Sequence, residues 1–454
     1  MSSIANARTV LIYAPFVGSG GVRRFVLRLL SAWLETADPA AWRFRVLSQP
    51  VDGNGDELPG PPAIFTPVSG DLIRQNLGAP LCDFLQTNQN AFWNELRRNA
   101  SGVDIVWLPQ PWWTLRMTED RVDLPAHIIP TVHDFAFDEL GWEGLFGDRF
   151  RDEARNFVSV SSRLVFSSRF TADRAAERYG MQPERGRVIH LADFVPEPFV
   201  ATPAEAERVS RRHGLPDRYW LAFHAMGHKD PQTILAALTR TKATMSATEF
   251  VPLVIAGMHT EALRPDAGAE HAHAAPIRKF IDRLDLVHGR DYHVLGFLPD
   301  ADIAGLYAGA SGCIVASRSE AGFSASIFEA QRAGVPLIHS DIGPFVERLG
   351  MDDRFAVRFR VGDAEDLARA MRSVAGDPVA ARARAVAARE RFCSRTWEDV
   401  AREYLEVFAE ACAEGPSTRD WSPAAQSVQR PPLPDAGPRR RLRDRVLRLF
   451  RRRR

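Results

Sequence analysis

Short apolar runs, each followed by a turn and in most cases by an amphipathic stretch, recur along this 454-residue chain in two series. The first comprises Val10–Tyr13, Phe44–Leu47, Ile105–Leu108, Ile128–Val132 and Arg163–Phe166. The second comprises Tyr219–Phe223, Leu253–Ala256, Tyr292–Leu295, Gly312–Ala316, Pro336–His339 and Ala356–Phe359. Runs of this length without polar alternation suit strands buried on both faces, as in a parallel sheet covered by helices. The expected fold is α/β, with two doubly wound parallel-sheet domains facing a cleft and ligands bound beyond the carboxyl ends of the strands. The first series ends near Val188–Asp193, and Pro196, Pro198 and Pro203 mark a connector. The expected organisation is a first domain over residues 1–195 and a second over 196–390. A helical segment follows at 391–414, where Trp397, Val400, Tyr404 and Phe408 share one helix face, and then a Pro-rich linker and basic tail at 415–454.

The net charge of +1 conceals an asymmetry. Residues 439–454 hold ten Arg against one Asp, so the tail carries +9 and the rest of the chain −8. The body therefore shows no nucleic-acid footprint. In the tail, Leu442, Val446, Leu449 and Phe450 would share one helix face amid arginines. That pattern suits an interfacial helix on an anionic membrane; nucleic acid and plain solvation are the competing readings. Four cysteines, Cys82, Cys313, Cys393 and Cys412, lack metal or redox spacing, which fits a reducing, cytoplasmic compartment. The N-terminal residues carry no basic-then-apolar leader, and no apolar run approaches the roughly 18 residues of a spanning helix.

The run Ser317–Glu329, S-R-S-E-A-G-F-S-A-S-I-F-E, places Glu320 and Glu329 on either side of a Gly-Phe turn before a helix. Ser326 is the expected helix cap, and Gly334 and Pro336 the expected end. Free N–H groups at a helix start attract phosphate, and a carboxylate one turn in can accept from sugar hydroxyls. A sugar-nucleotide site follows from those parts. Two solvated glutamates around an ordinary strand–turn–helix unit are the alternative.

This segment resembles the retaining GT-B glycosyltransferases of family 4, whose signature is a glutamate pair around Gly-Phe-Gly before a helix. Their pattern has seven residues between the glutamates; here Ala321–Phe328 makes eight. Aligning on Gly322-Phe323 keeps Glu329 in register, as ribose acceptor, and sets Glu320, the family's donor-sugar partner, one residue early. The resemblance spans about residues 8–410. It implies two Rossmann-like domains, the first holding acceptor and the second nucleotide. The implied reaction is hexosyl transfer, with mannosyl transfer among the candidates, from a nucleotide diphosphate sugar to a glycan or lipid-linked acceptor. It would proceed by same-face attack with retention and belong to polysaccharide biosynthesis.

Further segments join the resemblance. Gly20-Gly21-Val22-Arg23 would open a helix with bare amides at the donor, and its glycines lack the dinucleotide-loop spacing; a plain tight turn is the other reading. His133, in T-V-H-D-F, stands at a strand end where the family places a sugar- or acceptor-facing histidine, with Asp134 to orient it or cap the next turn. A purely structural strand-end histidine remains open. Lys229 matches the family's diphosphate-clamping lysine, and His224 stands where an arginine is expected. Gly296, Phe297 and Leu298 would edge the base pocket, and Gly322, Phe323 and Ser324 would meet the donor. The expected catalytic set is His133, Lys229 and Glu320. Asp300 and Asp302 form a D-x-D assigned to helix capping rather than to metal, so no metal or cofactor is expected. Asp341-Ile342-Gly343 is a further cleft-facing turn, with Glu347 beginning or capping the next helix. A sugar-nucleotide epimerase or hydrolase, and a weakly active partner subunit of a glycosylation complex, are the rival functions.

Overall fold

A computed structural model describes residues 7–14, 20–48, 63–65, 96, 98, 101–111, 126–195, 199–257, 260–267, 275–322 and 324–415. Strands β1 (Arg8–Tyr13), β2 (Trp42–Ser48), β3 (Ala63–Phe65), β4 (Ile105–Leu108), β5 (His127–Val132), β6 (Leu164–Phe166) and β7 (Gly186–Val188) form one sheet. Its order is β3-β2-β1-β4-β5-β6-β7, parallel except where β3 pairs with β2. Strands β8 (Tyr219–Phe223), β9 (Leu253–Ala256), β10 (Tyr292–Gly296), β11 (Ala310–Val315), β12 (Leu337–Ser340) and β13 (Val357–Phe359) form the second. Its order is β10-β9-β8-β11-β12-β13, all parallel. Both sheets reverse direction of growth at their centre, between β1 and β4 and between β8 and β11. Such a switch point leaves a crevice at the strands' carboxyl ends. These are the two doubly wound domains expected from the sequence.

The apolar runs become strands because both sheet faces are covered: β4 and β9 are buried at every position. The expected edges shift by a residue or two. Val188–Asp193 is strand only at Val188, and Ile189, Leu191 and Ala192 instead pack irregularly into the core. Helix 325–333 stops at Gly334, whose φ of 64° is left-handed.

Helix Trp397–Ala413 begins with a capping box between Thr396 and Asp399 and lies against helix Gly20–Thr36 of the first domain. Its expected core face is real: Val400, Tyr404 and Phe408 are buried, and Trp397 nearly so. The Trp33 indole donates to the Ala401 carbonyl (3.1 Å) and stacks on Phe44, with Trp107 edge-on. Tyr404 shares a 2.9 Å hydrogen bond with Thr131, which also accepts from the Trp107 indole at 3.0 Å. The two indoles and the Tyr404 hydroxyl of this aromatic cluster are thus all satisfied. Among the described residues, no helix is long and apolar enough to cross a membrane; the basic tail lies outside them.

Candidate functional site

The loops that follow β8 and β11 meet at the second sheet's switch point. After β8 the chain turns at His224, held at φ 66° by its N–H bond to the Ala256 carbonyl (2.8 Å). Gly257 leaves room for the imidazole, since a Cβ there would lie 2.8 Å from Nδ1. That Nδ1 is buried without a hydrogen-bond partner. Burial, reinforced by the Lys229 charge, holds His224 neutral by lowering its pKa to about 4. Asp230 then caps helix Pro231–Thr244, accepting from the Thr233 hydroxyl at 2.7 Å, and pairs with Arg318 at 2.7 Å.

Lys229 forms an ion pair with Glu320, and Ser317 donates to the same carboxylate oxygen at 2.7 Å. The extra residue in this segment is taken up by a tight turn, Gly322 N–H to the Glu320 carbonyl at 2.9 Å. Glu320 therefore reaches Lys229 despite its displaced sequence position. A small pocket beside the pair is lined by Phe223, Lys229, Ser317, Ser324 and Ser326. It opens at the start of helix Ala325–Ala333. Ser326 does not cap this helix: Ser324 has the extended N-cap backbone, and its side chain makes no capping bond. The N-cap thus lies two residues before Ser326, with N–H groups left for another acceptor.

Glu329 stands one turn into that helix. The Tyr307 hydroxyl donates to it at 3.0 Å, and among the described residues nothing else bonds the carboxylate. Burial raises its pKa, while the Tyr307 bond and the Arg24 charge oppose the rise. At the expected base pocket, Gly296 has φ 81°, and a Cβ would meet Glu261 Oε1 at 2.5 Å. The same Glu261 oxygen accepts from the Phe297 N–H at 3.0 Å. The Phe297 ring is 69% exposed, whereas Leu298 is buried in the core, so its side chain is packing rather than pocket edge.

The first domain faces this site with the end of β5. His133 is 5% exposed and edge-on to Phe25 at 4.8 Å, and its ring nitrogens have at most a weak contact with the Pro109 backbone. Burial lowers its pKa to about 4, with the Pro109 backbone opposing. Asp134 takes the capping option, accepting from Ala136 N–H at 2.9 Å. Its carboxyl is pushed up by burial and by Glu320 across the cleft. Glycines 20 and 21 open helix Gly20–Thr36; Gly18, Ser19 and Phe323 lie outside the described residues.

Several cleft residues were not anticipated. Ser319 donates to Glu139 of the first domain, whose pKa burial raises to about 7. Ser167 donates to the Ala321 carbonyl at 3.2 Å, and a Cβ on Gly322 would come within 2.7 Å of Ser167 Oγ. Glycine is needed there for both close approach and its φ of 75°. Glu347 neither begins nor caps its own helix. Its carboxylate accepts from Arg169 and Phe170 N–H, both at 2.7 Å, capping helix Arg169–Tyr179 of the first domain. An acid there complements the helix's free amides and dipole. The only sequence sign was that helix 169–179 has no acid in its first turn.

Helix Asp300–Ala308 is capped by neither Asp300 nor Asp302, since Pro299 is its N-cap, although both lie in its first turn, where the helix dipole favours acids. Asp302 is 1% exposed and bonds Arg208 and His213 at 3.0 Å each, joining helix Asp300–Ala308 to helix Pro203–His213. The His213 and Arg208 bonds hold its carboxylate ionised. Among the described residues, no three His, Cys, Asp or Glu side chains gather to hold a metal ion.

Residues 222–377 match the family described as Glycosyl transferases group 1. Over 442 residues, 91% of this chain and 93% of the relative, the sequence is 26% identical to D-inositol 3-phosphate glycosyltransferase of Salinispora arenicola. The fold is similar to that of Anabaena HepE in complex with UDP and glucose, with TM-score 0.66 and 15% identity over 89% of this chain and 100% of that one. It is similar also to sucrose-phosphate synthase from Thermosynechococcus elongatus, with TM-score 0.63 and 16% identity over 90% and 100% of the two chains. The group 1 match and these GT-B neighbours together support a glycosyltransferase built on two Rossmann-like domains.

Proposed function

We propose that this protein moves a hexose-type sugar from a nucleotide diphosphate sugar to a glycan or lipid-linked acceptor, with retention of configuration. The observation that carries the reading is the Lys229–Glu320 pair beside the uncapped start of helix Ala325–Ala333. Lys229 and the helix amides would take the diphosphate, and Glu329 the ribose. Glu320, released from Lys229 by the incoming phosphates, would meet the donor sugar. His133 would face the sugar or acceptor from the other domain. Positive charge placed against the departing, negatively charged diphosphate is the main electrostatic demand of such a reaction, and the departing phosphate would assist deprotonation of the acceptor hydroxyl. The proposed chemistry needs no metal or cofactor. The UDP and glucose named with the HepE structure favour a nucleotide-sugar donor here.

Glu329→Ala is expected to weaken donor binding roughly ten- to hundred-fold, the worth of one charge-assisted hydrogen bond. Titration calorimetry with the nucleotide that most raises the melting temperature, among UDP-, GDP- and ADP-sugars, measures it. An unchanged affinity would remove Glu329 from the ribose site. The neutral His224 favours a second reading, a weakly active nucleotide-binding partner subunit of a glycosylation complex. Donor hydrolysis or transfer by the purified chain alone rules that reading out.

We further propose a cytoplasmic, membrane-peripheral enzyme, docked on anionic lipid by residues 439–454. The ten arginines of that segment carry this part, each worth about 1 kcal/mol near an anionic surface. The full chain should float with anionic liposomes at low salt and a chain ending at Pro438 should not; equal flotation would assign docking elsewhere.

A further inference from the structure

A departing diphosphate calls for more than one cation, and His224 stands where the second would be expected. Burial and the Lys229 charge keep that imidazole neutral, so it supplies no second cation, and its Nδ1 is buried without a partner. Lys229 remains, engaged with Glu320. Across the cleft, helix Gly20–Thr36 carries no acidic residue in its first turn, and Arg23 and Arg24 follow directly on Gly20, Gly21 and Val22. Basic residues at the positive end of a helix dipole are unfavourable unless an anion joins them.

Arg24 has the position such an anion would require. Its side chain is 50% exposed, and its ion pair with Asp300 is long, 3.9 Å, to a carboxylate itself 88% exposed. A pair of that kind is worth little and is readily exchanged. The guanidinium also lies close enough to His224 and to Glu329 for its charge to be felt at both. It therefore overlooks both the expected diphosphate end and the expected ribose end of the site.

We infer that Arg24 of the first domain reaches across the cleft and binds the donor diphosphate, in place of a cation at position 224. This rests on the nucleotide-sugar reading above. Lys229 and Arg24 then hold one ligand from opposite domains, so that binding the diphosphate draws the two together. The planar guanidinium suits bidentate contact with phosphate oxygens, which an ammonium cannot reproduce.

The test titrates UDP, GDP and ADP into the full chain, Arg24→Gln and Arg24→Lys. The Arg24 side chain is half exposed, so all three proteins should melt at about the same temperature. Whichever diphosphate binds the wild type should bind Arg24→Gln roughly ten- to hundred-fold more weakly, with Arg24→Lys between them. The affinity of Arg24→Gln should also depend less on salt, because one charge contact is gone. Equal affinities of wild type and Arg24→Gln overturn the inference and leave the donor reading standing. Failure of all three diphosphates to bind the wild type overturns the donor reading, and this inference with it.

Discussion

Lys229→Ala is expected to lower turnover by about a hundred- to a thousand-fold, the scale of losing one preorganised charge at a leaving group. It should also destabilise the protein. The Lys229 and Glu320 side chains are only 16% and 10% exposed, so removing the lysine strands a largely buried carboxylate at a cost of about 3 kcal/mol. Lys229→Met combined with Glu320→Gln removes both charges and should recover most of that stability without recovering turnover. Steady-state rates and urea unfolding of the two variants separate the effects. Near-native turnover in either variant would deny Lys229 its role. An arginine placed at position 224, where the resemblance expects one, would sit on a left-handed backbone that is strained for a long side chain.

Acid should produce the second large effect. His133 and His339 are buried and held near pKa 4, burial being the leading cause for each. A lowered pKa means that the stabilising contribution is whole above the unfolded value of 6.5 and is lost as pH falls toward 4. At about 1.4 kcal/mol per pH unit, each imidazole withdraws about 3 kcal/mol across that window. Glu139, raised to about 7, acts in the opposite sense. Its contribution is present below the ordinary glutamate pKa of 4.5 and is lost as pH rises through 7, offsetting part of the histidine slope. Urea unfolding at pH 7 and pH 5 should show a marked loss of stability in the wild type and a smaller one in His133→Leu. Equal losses would mean that His133 titrates normally. A core histidine whose ring nitrogens have at most a weak backbone contact sacrifices stability, which is reason to look for its use in ligand contact.

The sequence exposed what is periodic and local. Strands buried on both faces appear as unbroken apolar runs, and the helix face of Trp397, Val400, Tyr404 and Phe408 repeats with the turn. The short edge strand Ala63–Phe65 has too few residues to announce itself, and β7 offers only Gly186–Val188. Lys229 and Glu320 could be nominated separately because each sits in its own strand–turn–helix unit. Their pairing, across 91 residues of chain, is a product of the sheet order. The cross-domain contacts were beyond reach for the same reason. Glu139 with Ser319 and Glu347 with Phe170 are separated by 180 and 177 residues, and no local pattern distinguishes these glutamates from solvated ones. Ser326 misled because residue type names candidate caps, whereas backbone angle chooses among them.

The seating of helix Trp397–Ala413 against Trp33 and Thr131 bears on how the protein is made. During synthesis the first domain's strands leave the ribosome long before this helix does. Until it arrives, the Thr131 hydroxyl lacks Tyr404 and the Trp33 indole lacks the Ala401 carbonyl. The nascent first domain consequently exposes an aromatic groove throughout translation of the second, and a ribosome stalled before residue 397 presents that groove to chaperones.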